Sequence, residues 1–313
     1  MTVKAIVATQ SADNTRRWCQ AFRNAWPEAR FDAWSESSPV PSGARYAIVW
    51  QPPSALFRNE TALEAVFNLG AGVDSLLRLP ELPRSLSIVR LEGAGMAEQM
   101  VEYVLYGLLR AAREFSNYAV SQADVRWQTR PAIRREDWPV GVMGLGTIGT
   151  EVAQAVARLG YPVAGWSRTA RPVPGIEIFG GQENLAAFLA RTRVLVNVLP
   201  LTPDTEDILN RDNLSRLLPD GYLINVARGR HLVEEDLLAL LDGGRLMGAM
   251  LDVFRTEPLP ADHPFWRHPG IVVTPHVAAI TLQDDTVAQI VGKIRDMERG
   301  VAVSGVVNRG SGY

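Results

Sequence analysis

Gly144, Leu145, Gly146, Thr147, Ile148 and Gly149 set three glycines at the spacing a pyrophosphate requires. They follow an apolar run and open a helical pattern that reaches Leu159. In that context the first glycine permits a tight turn and the second lets the backbone approach phosphate. The third lets helix and strand pack closely, while the helix N-terminus attracts negative charge. The G-x-G strings at residues 70–72 and 93–95 lack the third glycine. The chemistry expected at residues 144–149 is binding of a dinucleotide. The end of the next apolar run sharpens this. An NAD site usually carries Asp or Glu there for the ribose 2′-hydroxyl. Here the position is Ser167, eighteen residues after Gly149, with Arg168 and Arg171 behind it and no acid between Glu151 and Glu177. A carboxylate repels a 2′-phosphate, whereas a hydroxyl and guanidinium groups hold it. NADP(H) is therefore expected in preference to NAD(H).

Three more residues carry chemistry late in the chain. Arg228 follows Leu223-Ile224-Asn225-Val226-Ala227, Glu257 lies in Asp252-Val253-Phe254-Arg255-Thr256-Glu257-Pro258, and His276 follows Ile271-Val272-Val273-Thr274-Pro275. In a doubly wound sheet the carboxyl ends of the strands line one crevice, so separations of 29 and 19 residues do not keep these side chains apart. By type alone, Arg228 also suits a helix start, Glu257 a turn cap and His276 a structural site. Of the other histidines, His263 and His268 sit with Asp262 in a segment broken by Pro264 and Pro269, which suggests a solvated loop and no metal. His231 is expected at a helix start. There is no G-x-S-x-G elbow and no phosphate loop ending in Gly-Lys-Ser/Thr.

These residues need a scaffold of alternating strands and helices, and the apolar pattern supplies one. Strands are expected at residues 3–9, 46–50, 65–69 and 88–91, with a helix at 13–26. A second series follows at 140–144, 163–166, 194–199, 223–226, 247–251 and 271–274, with helices at 148–159, 183–190 and 233–241 between them. Such alternation implies α/β architecture with parallel sheets covered on both faces. The longest helical pattern, residues 96–123, precedes a polar arm at 121–136 that carries Trp127 and four arginines. A last helix is expected at 282–299, beyond the second series. The cofactor-type unit thus lies mid-chain, with both ends of the sequence forming the other domain.

Composition narrows the field further. The 313 residues suffice for two domains, and 47% apolar with 21% charged is ordinary for a globular chain. A net charge of −2 provides no global attraction for nucleic acid or an anionic membrane, and neither is expected as a partner. No apolar run approaches the ~18 residues of a membrane span. The opening MTVKAIVATQ is not expected to be a secretory signal. One cysteine, Cys19, allows no internal disulfide and fits a reducing compartment, so a cytoplasmic location is expected. Only Lys4 and Lys293 are lysines, so nearly all 32 basic residues are arginine, a planar donor suited to phosphate and carboxylate.

Several motifs in order give the chain a resemblance to a known family. They are Gly144–Gly149, Leu199-Pro200-Leu201-Thr202-Pro203, Asn225-Val226-Ala227-Arg228-Gly229, the run from Leu251 to Pro258, and Thr274-Pro275-His276. Over about residues 65–280 the sequence resembles the D-isomer-specific 2-hydroxyacid dehydrogenases, most of all the glyoxylate/hydroxypyruvate reductase branch. The resemblance implies two doubly wound parallel-sheet domains. A Rossmann-type NADP-binding domain (residues 98–282) is inserted in a flavodoxin-like substrate domain (1–97 and 283–313). It implies that Arg228 grips the substrate carboxylate and carbonyl oxygen, that His276 exchanges the proton, and that Glu257 orients the imidazole and favours its charged form. Backbone amides at Ala71 and Gly72 meet the substrate carboxylate, and Trp50 and Met96 narrow its pocket. Leu199 and Pro200 pack on the nicotinamide, while Asp252, Val226 and Ala227 meet its carboxamide. The implied reaction is NADPH-dependent reduction of glyoxylate to glycolate and of hydroxypyruvate to D-glycerate, by a homodimer joined through residues 96–123 and the arm. Two alternatives stay open: a dehydrogenase for a larger D-2-hydroxy acid, and a non-catalytic NAD(P)-sensing protein. The chain departs from most members in lacking the acidic ribose residue and in reading Gly95-Met96-Ala97-Glu98-Gln99-Met100 where a Thr/Ala-rich stretch is usual.

Overall fold

The structure is a computed structural model that describes residues 2–38, 40–169 and 171–310. The chain divides into two compact units, Met1–Gly95 with Thr281–Tyr313, and Met96–Ile280.

The first unit opens with β1 (Lys4–Thr9), α1 (Ala12–Ala25), β2 (Arg30–Ala33), β3 (Tyr46–Trp50), α2 (Ala55–Asn59), β4 (Ala65–Asn68), α3 (Asp74–Leu77) and β5 (Ser87–Val89). All pairings are parallel, in the order β2-β1-β3-β4-β5, the flavodoxin-like order. Strands β1 and β3 are apolar almost throughout because helices cover both faces of the sheet. Helix α1 starts where the Ser11 side chain accepts from the Asn14 amide, and it buries Trp18, Cys19 and Phe22 as a stripe. Those residues pack with Phe31, Tyr46 and Ile48.

The second unit begins with α4 (Met96–Ala112), α5 (Phe115–Ala123), β6 (Val140–Met143), α6 (Thr147–Arg158), β7 (Val163–Ser167) and β8 (Glu177–Gly180). It continues with α7 (Leu185–Ala190), β9 (Val194–Asn197), α8 (Arg211–Leu214), β10 (Gly221–Asn225), α9 (Glu234–Asp242), β11 (Leu246–Leu251) and β12 (Ile271–Val273). Its seven strands are parallel in the order β12-β11-β10-β9-β6-β7-β8. This is the Rossmann order with one strand added, and its direction reverses between β6 and β9. Successive residues serve opposite faces, as strand pleating demands. Val194, Val196, Tyr222 and Ile224 pack with α4 and α6, whereas Leu195 and Leu223 pack with α7 and α9. After β12 the chain returns to the first unit as α10 (Gln283–Glu298), which contributes Val287, Ile290, Val291 and Ile294 to its core. Among the described residues no helix is long and apolar enough to cross a membrane.

Three local expectations are corrected. Residues 96–123 are two helices, not one, because Glu114 takes a left-handed φ of 52°. The apolar stripe also ends there: α4 buries Val104, Leu108 and Ala111, while α5 buries only Ser121. No glycine or proline marks the break. Strands β2 and β8 were not expected, since as edge strands they are partly polar and incompletely buried. The histidines are less exposed than their surroundings suggest. His231 is fully buried in a short 3₁₀ turn, Gly229–His231, ahead of α9. His263 and His268 are half-buried, each accepting a backbone N–H through Nδ1, from Phe265 at 3.3 Å and Gly270 at 3.1 Å.

Candidate active site

The glycine loop occupies the switch point of the large sheet. Gly144 has a φ of +100°, and its N–H donates to Trp166 O at 2.8 Å. A Cβ at Gly149 would lie 1.8 Å from the Gly144 carbonyl oxygen, so the third glycine is demanded by the turn itself. Gly146 is different. It caps α6 with a φ of −78°, and a Cβ there would meet no protein atom within 4 Å. Neither backbone angle nor packing requires glycine at Gly146, which leaves its backbone open to close approach by a bound group. The loop therefore fits a pyrophosphate. Leu145, Thr147 and Ile148 complete it, with Thr147 exposed at the start of α6.

Ser167 ends β7, with its hydroxyl donating to Thr169 O at 2.9 Å, and Arg168 and Arg171 are exposed just beyond it. Across the switch point, Leu199 is buried and the Pro200 carbonyl accepts from the Thr205 hydroxyl at 2.7 Å. Val226 and Ala227 are buried at the end of β10.

Arg228, Glu257 and His276 come from loops that follow β10, β11 and β12. His276 Nδ1 lies 2.8 Å from Glu257 Oε2, and the other carboxylate oxygen accepts the Phe254 N–H at 3.0 Å. Burial by itself raises the Glu257 pKa. The His276 hydrogen bond, the Phe254 amide and the charges of His276 and Arg228 outweigh burial, so the carboxyl lies below its ordinary value. The Arg228 Nη1 donates to Ala227 O at 2.7 Å. Gly229, next to it, approaches the Phe254 backbone so closely that a Cβ would fall 1.8 Å from Phe254 C. That glycine brings the Arg228 turn against the segment carrying Glu257.

His276 stands at a φ of 55°, a region costly for any residue but glycine. Asp252, 1% exposed, holds it there. The Asp252 carbonyl accepts the His276 N–H at 2.8 Å, and its carboxylate accepts Val277 N–H (2.8 Å), Ala278 N–H (2.8 Å) and the Thr274 hydroxyl (2.6 Å). The Tyr103 hydroxyl lies 2.6 Å from Thr274 Oγ1 and extends the chain of bonds to α4. So the Asp252 carboxylate, which the resemblance puts on a carboxamide, already takes three donors from its own chain.

In the first unit, residues 69–73 form the turn between β4 and α3. Asn68, 3% exposed at the end of β4, donates through Nδ2 to Gly70 O (3.0 Å) and Gly72 O (2.9 Å). With those carbonyls held, the amides of Ala71 and Gly72 have no acceptor among the described residues. The Trp50 ring lies on Gly70, where a Cβ would come within 2.4 Å of it. Met96 is buried as the first residue of α4 in the other unit. Asn68, Asn197, Thr274 and Tyr103 escaped the sequence reading. Asparagine is poor in strands, and β4, β9 and β10 each end on one, a signal open to reading before the structure.

Comparison with known proteins places the chain in a family. The family model for the NAD-binding domain of D-isomer specific 2-hydroxyacid dehydrogenases matches residues 105–278. The glyoxylate/hydroxypyruvate reductase A of Escherichia fergusonii is 46% identical over 305 residues, covering 96% of this chain and 97% of the relative. A D-isomer specific 2-hydroxyacid dehydrogenase from Xanthobacter autotrophicus, solved with NADPH and MES, superposes with a TM-score of 0.94 at 36% identity, covering all of both chains. The NADPH-dependent glyoxylate/hydroxypyruvate reductase of Sinorhizobium meliloti, solved with NADP and sulfate, superposes at 0.93 with 34% identity, again over all of both chains. Fold and site together define an oxidoreductase built on a dinucleotide-binding sheet. The chain belongs to the family of D-isomer specific 2-hydroxyacid dehydrogenases.

Proposed function

We propose that this protein reduces glyoxylate to glycolate and hydroxypyruvate to D-glycerate, using NADPH in preference to NADH. The observation that carries the proposal is the His276–Glu257 bond of 2.8 Å, on a turn held by Asp252. Glu257 engages Nδ1, which leaves Nε2 as the ring nitrogen that hands its proton to the substrate carbonyl oxygen. A lowered Glu257 pKa keeps that carboxylate ionised as the group facing His276 Nδ1. Arg228 grips the substrate carboxylate and polarises the C=O bond. When bound, the cofactor would supply the hydride for the carbonyl carbon that Arg228 polarises. The unpaired amides of Ala71 and Gly72 take the substrate carboxylate, and Trp50 and Met96 limit substrate size. The relatives named above for glyoxylate and hydroxypyruvate support this substrate class.

The glycine loop, from Gly144 to Gly149, receives the pyrophosphate. Ser167, Arg168 and Arg171 receive the 2′-phosphate, a reading favoured by the solved relatives that contain NADPH or NADP. Leu199, Pro200, Val226 and Ala227 border the nicotinamide, and Asp252 acts there through the His276 turn. Accordingly, Met96–Ile280 is the cofactor unit and the other unit receives substrate. The protein is further read as a cytoplasmic homodimer joined through α4, α5 and the arm. Trp127 is 100% and Val125 92% exposed there, beside exposed Phe115, Tyr118 and Val120. A monomer in gel filtration would overturn the dimer.

The test is NADPH and NADH oxidation with glyoxylate, hydroxypyruvate and a panel of larger 2-keto acids. Fastest turnover with the two small acids and NADPH is expected. Preference for a branched or aromatic acid would replace the substrate, and cofactor binding without turnover would indicate a sensor.

A further inference from the structure

Beneath the glycine loop and the Arg228 turn, three polar side chains lie at 0% exposure: Asn197, Asn225 and His231. Asn197 and Asn225 end adjacent parallel strands and are register partners, so their side chains emerge on the same face. Buried polar groups at this cost persist only when satisfied, and these are satisfied by one another and by two loops.

Their orientations follow from the backbone. Asn225 Oδ1 accepts the Ala227 N–H at 3.2 Å, and its Nδ2 donates to Arg228 O at 3.2 Å. That fixes the Asn225 amide, and Asn197 must turn its Nδ2 towards Asn225 Oδ1, at 3.0 Å. Asn197 Oδ1 then accepts the Leu199 N–H at 3.3 Å. The same Asn197 Nδ2 lies 3.0 Å from His231 Nδ1, which must accept. The ring proton is therefore on Nε2, which donates to Pro200 O at 3.3 Å. A continuous path runs from the Arg228 carbonyl to the Pro200 carbonyl.

We propose that Asn197, Asn225 and His231 are positioning residues that lock the Arg228 turn to the Leu199–Pro200 loop through this buried hydrogen-bond path. It rests on the function read above, in which Arg228 holds the keto acid and residues 199 and 200 border the nicotinamide. No member of the path touches either ligand. Its work is to hold the guanidinium and the nicotinamide wall in a single relative setting. Each end of the path then governs a different kinetic constant.

Two conservative variants separate the ends. An asparagine amide reaches about as far as Nδ1 of a histidine, and a glutamine amide about as far as Nε2. His231→Asn keeps the acceptor for Asn197 and drops the donor to Pro200. Its dissociation constant for NADPH, from calorimetry, should rise about tenfold while the keto acid KM stays within twofold. His231→Gln keeps the Pro200 bond and drops the acceptor, so the keto acid KM should rise about tenfold with NADPH affinity within twofold. If His231→Gln does not fold, Asn225→Asp serves instead: it keeps the oxygen that takes the Ala227 N–H and sets a carboxylate oxygen, with no proton to give, against Arg228 O. Nitrogen-15 chemical shifts of His231 should show a neutral ring protonated at Nε2.

Constants that move together in both variants, constants that do not move, or a ring protonated at Nδ1 would each overturn the proposal. A parent protein that neither binds NADPH nor reduces keto acids would instead overturn the functional reading. A parent that works with variants that behave alike would overturn the path alone.

Discussion

Asp252→Asn is the sharpest test of how His276, the proposed proton donor, is held. Three donors converge on that carboxylate, from Thr274 Oγ1 at 2.6 Å and from Val277 and Ala278 amides at 2.8 Å each. An asparagine has one acceptor oxygen, so if it serves Val277 and Thr274, its NH₂ faces the Ala278 N–H, donor against donor. One hydrogen bond to a charged acceptor is lost outright, about 1.5–3 kcal/mol, and the remaining two lose their charge assistance. The turn it holds is an unfavourable one, His276 at a φ of 55°, which costs on the order of 1–3 kcal/mol to maintain. If the loss appears as a smaller population of the competent His276 conformer, it translates into roughly 10- to 100-fold in turnover, at about 1.4 kcal/mol per tenfold. The assay is NADPH oxidation with glyoxylate, resolved into kcat and KM, beside a thermal melt. A fall in kcat with keto acid KM little changed is expected, because Arg228 is on another turn. A folded variant with kcat within twofold of the parent would refute the reasoning.

Three further outcomes follow from the same geometry. Ser167→Asp places a carboxylate where the 2′-phosphate is read to bind; the ratio of kcat/KM for NADPH over NADH should fall by at least tenfold, and an unchanged ratio would remove Ser167 from cofactor choice. Gly146→Ala should leave the melting temperature little moved, since a Cβ there meets nothing within 4 Å and φ is −78°, yet sharply weaken NADPH binding in calorimetry; unchanged binding would mean that no phosphate approaches that backbone. Glu257 has a pKa lowered from 4.5 in the fold, so its ionised form stabilises the protein fully above about pH 4.5 and ceases to do so as pH falls through the folded value. The melting-temperature gap between parent and Glu257→Gln should thus be level near neutrality and shrink below about pH 4.5, and a gap that widens on acidification would have the sign wrong.

Strong local patterns made much of the fold legible in the sequence. Strands buried on both faces, such as Tyr46–Trp50 and Val194–Asn197, are apolar runs that stand out in any sequence context. The edge strands Arg30–Ala33 and Glu177–Gly180 did not stand out, since one neighbour and partial burial impose little composition. The helix break at Glu114 was invisible because nothing chemical marks it, and the change from a buried to an exposed stripe exists only in three dimensions. In the candidate site, Gly144 and Gly149 were legible because backbone sterics leave no alternative residue. His231 read only as a helix start because its partners, Asn197 and Pro200, are 34 and 31 positions away.

The sequence by itself determined the alternation of buried strands with helices, the glycine loop, the absence of an acid after Ser167 and the residue types Arg228, Glu257 and His276. All of these depend on local sterics or on charge type, and both are carried by a few adjacent residues. Only the tertiary structure decided that His276 meets Glu257, that Asp252 spends its carboxylate on the His276 turn, and that Asn68 draws two carbonyls inward beside the amides of Ala71 and Gly72. Each of these is a hydrogen bond whose partner is set by which strands lie side by side and where each one ends. Parallel register aligned Asn197 with Asn225, and the closeness of Gly229 to Phe254 brought the arginine turn to the glutamate segment. Sequence chose the groups; sheet order and close backbone packing chose their partners.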